Sequence, residues 1–148
     1  DPYLSRGLGD VYKRQALGGT LVRIGNFFNS EIVGVFTNSD YGVIFQNRGE
    51  ILPRHPAQLY EAFGYIILFI TLILIYNKTK LKDFKGFLFG FFLMFLFVVR
   101  FIVEYVKESQ GGLEEQLGIF STGQWLSIPF ILIGIGLMIY SYISIEKK

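Results

Sequence analysis

Three long apolar runs limit what this chain can fold into more than any other feature of it. They are Phe63 to Ile75 with its flanks, Gly86 to about Val106, and Thr122 to about Ile143. Each holds roughly 20 residues, enough at 1.5 Å per residue to cross a hydrocarbon core of about 30 Å. Within lipid a backbone must satisfy its own N–H and C=O groups, so each run is expected to be a helix, the first from about Pro56 to Tyr76. Hydrophobic residues make up 51% of the 148 and aromatics 18%, more than a soluble core of this size needs. A net charge of +2, with lysines beside apolar runs instead of lining a groove, excludes nucleic acid as a partner. Cysteine is absent, so any sulfur chemistry must use a partner's thiol.

The linkers carry opposite charge. Between the first two runs stand Lys78, Lys80, Lys82 and Lys85 against Asp83, and the chain ends Glu146-Lys147-Lys148. Between the second and third stand Glu108, Glu114 and Glu115 against Lys107. The positive-inside rule therefore puts the lysine linker and the C-terminus in the cytoplasm and the acidic linker outside. Asp1 to Gln15 is polar and glycine-punctuated, has no apolar stretch suited to a secretory signal, and reads as a non-native or junction segment. Residues 16–148 then form part of one membrane domain. Ala16 to Phe36 opens with small residues and fits either the end of a truncated helix or a re-entrant piece. Thr37 to Leu52 is polar and reads as a short outer loop or hairpin. The fold class expected is an all-α polytopic membrane protein.

Polar side chains set among apolar ones are the candidates for chemistry, because an ionisable group below the headgroups costs roughly 2.5–3.5 kcal/mol. Arg23-Ile24-Gly25-Asn26-Phe27-Phe28-Asn29-Ser30-Glu31-Ile32-Val33-Gly34 is the densest such stretch. Arg100 follows about 21 Å into the second run, with Glu104 one turn above it on the same face. A snorkelling arginine paired with Glu104 is one reading; a guanidinium held by Glu104 and aimed at a phosphate is the other. Arg54-His55-Pro56-Ala57-Gln58-Leu59-Tyr60-Glu61 opens the first helix, where Glu61 could merely offset the helix dipole. Gly123-Gln124-Trp125-Leu126-Ser127-Ile128-Pro129 opens the last, and Trp125 suits an interfacial belt.

These four motifs, taken in their order along the chain, resemble those of the bacterial prolipoprotein diacylglyceryl transferases. The first is similar to that family's Arg-x-Gly-Asn-Phe-x-Asn-x-Glu-x-x-Gly run, and the second departs from its His-Pro-Ser-Gln-Leu-Tyr-Glu only at Ala57. Leu96 stands where the family usually has a tyrosine. The family's amino-terminal half, with its own histidine-glycine motif, has no counterpart here, so the residues present by themselves are expected to be inactive.

The resemblance implies transfer of the diacylglyceryl group of phosphatidylglycerol to the lipobox cysteine thiol of a preprolipoprotein, forming a thioether and releasing glycerol phosphate. Its partners would be that lipid, the signal peptide bearing the lipobox, and the surrounding membrane lipids of a bacterial inner membrane, with the site facing outward. A leaving phosphate gathers negative charge, and cations fixed there in advance lower the barrier. Arg23 and Arg100 are the expected catalytic clamp. Asn26, Asn29, Glu31, Gly34, His55, Gln58, Glu61 and Glu104 are expected to bind substrate or orient the arginines. His55 is the single histidine, so the thiol base is either His55 or a residue of the other half. No metal ligand spacing exists, and no cofactor is expected. From other classes, an ion path in a transporter or channel, or a non-catalytic membrane scaffold, would also use buried arginines and carboxylates.

Overall fold

The computed structural model describes residues 2–84, 86–108 and 118–146. Four helices account for most of them: α1 (Pro2–Phe28), α2 (Ala57–Lys78), α3 (Phe87–Val103) and α4 (Thr122–Glu146). α2, α3 with its 3-10 extension Glu104–Val106, and α4 are each long and apolar enough to cross a membrane. Glu114, Glu115, Lys85, Lys147 and Lys148, on which the charge reading of the linkers partly rests, lie outside the described residues.

Local chemistry sets the helix ends. α2 begins directly after Pro56, whose fixed φ of −77° suits the entry and whose missing N–H costs nothing there. It stops at Thr79, which turns extended and donates its hydroxyl to the Ile75 carbonyl at 2.6 Å. Gly86, in the left-handed region at φ +86°, reverses the chain into α3.

Neighbouring helices run antiparallel. Gly9 meets Tyr76 and Gly19 meets Tyr65, which pairs the start of α1 with the end of α2. Residues 2–15, set aside on the sequence, are thus helical, and Tyr12 stacks on Phe89 and Phe92. Ala16, Leu68, Leu72, Leu88 and Phe92 form the buried core among α1, α2 and α3. α3 and α4 touch through backbone: a Cβ on Gly90 would lie 2.6 Å from the Gly134 carbonyl oxygen, and the converse distance is also 2.6 Å. Lipid offers no hydrophobic drive between helices, so close packing at small residues is what holds such a pair. Phe97 stacking on Phe130 at 4.5 Å extends the same seam.

This alternation collects the end of α1, the start of α2, the end of α3 and the start of α4 at one end of the bundle. Thr79, Lys80 and the end of α4 lie at the other. The α1–α2 connection lies over the first end. Its backbone is tied by Gly34 N to His55 O at 3.0 Å, Val35 N to Val106 O at 2.8 Å, and a two-way pair between Val43 and Arg54 at 2.9 Å. The resulting bridges, Phe36 to Arg54 and Val43 to Arg54, match a small hairpin without extended strands.

Candidate functional site

Glu61 is the centre of the polar end. It stands on the second turn of α2 with its side chain fully buried, and both Arg23 of α1 and Lys107, just past α3, form ion pairs with it. A carboxylate removed from water this completely needs such partners. Arg23 reaches further. With the Asn26 amide oxygen turned toward it, Arg23 Nη1 donates to that oxygen at 3.1 Å while the Asn26 nitrogen donates to Glu31 Oε2 at 3.2 Å. Arg23 and Asn26 are three residues apart on one helix, which puts them on one face.

Glu31 is brought back to this network by strained backbone. Ser30 and Ile32 on either side of it have φ of +57° and +53°, a region that a β-branched isoleucine rarely enters. The Glu31 N–H donates to the Asn26 carbonyl at 2.9 Å, and Gln58 Nε2 donates to the Glu31 carbonyl at 2.6 Å. Gln58 Oε1 is buried without a hydrogen-bond partner among the described residues. Asn29 is exposed at the turn that ends α1.

Gly34 has a packing task. A Cβ there would collide with the His55 carbonyl oxygen and lie 2.7 Å from His55 Cβ and 2.8 Å from the Val106 oxygen. Only glycine lets the end of the signature pass between these two backbones. His55 accepts or donates at Nδ1 with the Tyr60 hydroxyl at 3.1 Å, and its carbonyl receives the Gly34 and Ala57 N–H groups.

The expected Arg100–Glu104 pair is not formed. The α-helix ends at Val103, and although the Glu104 N–H still donates to the Arg100 carbonyl, a 3-10 turn follows from Glu104 to Val106. It brings Lys107 back instead, 3.5 Å from Glu104 Oε2. The Glu104 carboxyl also packs against Gly123 at the start of α4, where an added Cβ would fall 2.6 Å from its Cδ. Arg100 makes no ion pair among the described residues, its buried Nε has no hydrogen-bond partner, and the Phe97 ring lies 6.0 Å from its Cζ. Arg23 and Arg100 share a neighbourhood all the same, since both lie within electrostatic reach of the buried Tyr65 hydroxyl, as does Glu61.

Two members of this site carried no functional weight in the sequence. Lys107 looked like an ordinary linker charge, and Tyr65 like one more apolar residue of α2. Their signals were positional: Lys107 follows Glu104 by three residues and Arg100 by seven, while Tyr65 follows Glu61 by four.

Comparison with known proteins identifies the family. A family model for prolipoprotein diacylglyceryl transferase matches residues 10–140. The phosphatidylglycerol–prolipoprotein diacylglyceryl transferase of Tolumonas auensis is 50% identical over 126 residues, covering 85% of this chain and 48% of that protein. The protein of that name from Bacteroides fragilis is 44% identical over 119 residues, 80% of this chain and 42% of its own length. The one from Chlamydia trachomatis serovar D is 40% identical over 146 residues, 99% of this chain and 52% of its own length. The chain therefore spans about half the length of the curated relatives it matches. No solved structure matches it. With Arg23, Asn26, Glu31 and Glu61 joined in one network and the family match running from α1 into α4, the chain belongs to the prolipoprotein diacylglyceryl transferase family.

Proposed function

We infer that this chain supplies the headgroup-binding part of an enzyme that moves the diacylglyceryl group of phosphatidylglycerol onto the lipobox cysteine of a preprolipoprotein. The observation that carries the reading is Arg100, a cation on a membrane helix with a buried, unsatisfied Nε and no carboxylate of its own among the described residues. Such a group calls for an anion, and the lipid phosphodiester supplies one in the membrane itself. Arg23 differs in being held by Glu61 and Asn26, which fixes its direction.

In the reaction the cysteine thiolate attacks the glyceryl carbon that bears the phosphate. A C–S bond forms, the C–O bond to phosphorus breaks, the thiol proton goes to a base, and glycerol phosphate leaves. Negative charge grows on the departing phosphate, so guanidinium groups already aimed at it act most strongly in the transition state. His55, hydrogen-bonded to Tyr60 at the same end of the bundle, is this chain's own candidate for the base. Asn29, exposed beside the signature, is available to glycerol oxygens. The polar end of the bundle faces outward across a bacterial inner membrane, and Lys80 and the C-terminus face the cytoplasm; charge asymmetry between the linkers supports this.

The test uses the protein restored to the full length of its relatives. Thioether formation on a lipobox peptide in phosphatidylglycerol vesicles is the expected result, alongside opposite-side labelling of cysteines placed at Asp40 and Lys80. Solute flux without lipid turnover would return the transporter reading, and labelling of both cysteines from one side would overturn the orientation.

A further inference from the structure

Among the described residues, the network around Glu61 and Tyr65 holds three carboxylates, Glu31, Glu61 and Glu104, and three cations, Arg23, Arg100 and Lys107. The charges balance, yet they are shared unevenly. Arg23 takes Glu61 and is relayed to Glu31 through Asn26. Lys107 takes both Glu61 and Glu104, and its own side chain is only 7% exposed. Among the described residues Arg100 is left without a carboxylate, although Glu104 lies four residues above it, the spacing at which an arginine and a carboxylate on a helix ordinarily meet.

We propose that Lys107 is a positioning residue that keeps Arg100 available for the substrate phosphate by neutralising Glu104 and Glu61. This rests on the reading that Arg100 binds the phosphate. Lysine suits the task because its compact ammonium carries three donors on a flexible stem and can serve two carboxylates at once. The device spans three elements, since Glu61 belongs to α2, Lys107 follows α3, and Glu104 packs against Gly123 of α4. Take away the ammonium and Glu104 is left half-buried with no cation. The nearest one on its own helix is Arg100, which it would then draw off the phosphate.

A double-mutant cycle in the full-length protein tests this, with KM for phosphatidylglycerol and kcat measured beside membrane abundance. Lys107→Met and Lys107→Gln should each lower kcat/KM about ten- to a hundredfold, the scale on which lost outer-shell partners act, with KM for the lipid raised. In a Glu104→Gln background the same changes should cost less than about threefold, because no carboxylate remains to capture Arg100. Lys107→Arg should retain most of the activity. Equal losses in both backgrounds would overturn the proposal, as would near-normal activity of the neutral variants or failure of both to accumulate, which would make Lys107 a folding residue. Arg100→Lys serves as the control: if it too leaves transfer unchanged, the phosphate reading of Arg100 falls, whereas a strong loss there with none at Lys107 removes only this inference.

Discussion

Two arginines on this molecule, Arg54 buried in the outer loop and Arg100 half-buried on α3, differ in what surrounds them. Arg54 is 5% exposed and fully employed: its Nε and Nη2 donate to Glu50 at 2.6 and 2.9 Å, Nη1 to the Gly34 carbonyl at 3.0 Å, and its Cζ lies 3.8 Å from the centre of the Phe36 ring. Glu108 adds a further pairing at 3.4 Å. Arg100 has none of this. Its Nε is buried without an acceptor, and no carboxylate reaches it among the described residues. A guanidinium whose donors are all taken fastens structure, and one with donors left open can bind an anion that arrives later. The sequence shows only that each is an arginine beside a hydrophobic helix.

The sharpest way to break this contrast is to change each arginine to lysine, which keeps the charge and loses the fork. Arg100→Lys and Arg23→Lys should each lower lipid transfer about 10²-fold or more with insertion intact, the scale of losing one preorganised donor. Arg54→Lys should leave turnover per folded molecule within a few-fold. Lipid transfer to a lipobox peptide, normalised to protein in the membrane, decides it. Normal transfer by both Arg100→Lys and Arg23→Lys would return them to the class of snorkelling residues.

Next in size is Gly34→Ala, which presses a methyl between the backbones of His55 and Val106. It should destabilise the outer end by about 1–3 kcal/mol, the usual range for overpacking, and lower transfer along with abundance. Wild-type thermal stability in detergent would show that the passage is looser than it looks.

Arg54→Met leaves the Gly34 carbonyl without its side-chain donor and Glu50 with only Arg48. Because Glu50 is partly exposed, the cost should be modest, less than for a fully buried pair. It should surface as faster protease cleavage between residues 37 and 52, with lipid transfer per intact molecule little changed. A large fall in turnover with the loop still protected would move Arg54 into the site.

The smallest effect is one of pH. Hydrogen bonding to Arg54 holds the Glu50 carboxyl below its usual value of 4.5. The stabilisation this gives is fully present above that value and is lost as the pH falls toward the lower, folded one. Loop protection from an acid-active protease should therefore hold near pH 5 and fade below it, and Glu50→Gln should flatten the dependence. An unchanged acid response in that variant would assign the effect elsewhere.

Much of the fold was legible in the chain because lipid leaves few options. Three runs of the right length and hydropathy had to be helices, and α2, α3 and α4 start and stop within a few residues of where hydropathy and proline place them. The motif carrying Arg23, Asn26 and Glu31 was legible for a similar reason, since polar residues seldom persist in such company without a task. The Arg100–Glu104 pair was misread because the i, i+4 rule weighs only one helix, and here Lys107 pairs with the Glu104 carboxyl and Gly123 of α4 packs against it. Lys107 and Tyr65 went unweighted because their meaning lies in what faces them from α2, α1 and α4.

The sequence by itself determined that this chain is a multi-pass membrane protein, which of its runs are long and apolar enough to cross, and which family it belongs to. All three depend on local quantities: length, hydropathy and the spacing of a few residues. Only the tertiary structure decided which carboxylate each cation meets. Arg23 lies 38 residues from Glu61, and Lys107 lies 46 on the other side of it, so their meeting depends on antiparallel packing and on the small residues that set how closely the helices approach. Ionic partners are chosen by distance in space and by burial, and neither is written in a linear pattern.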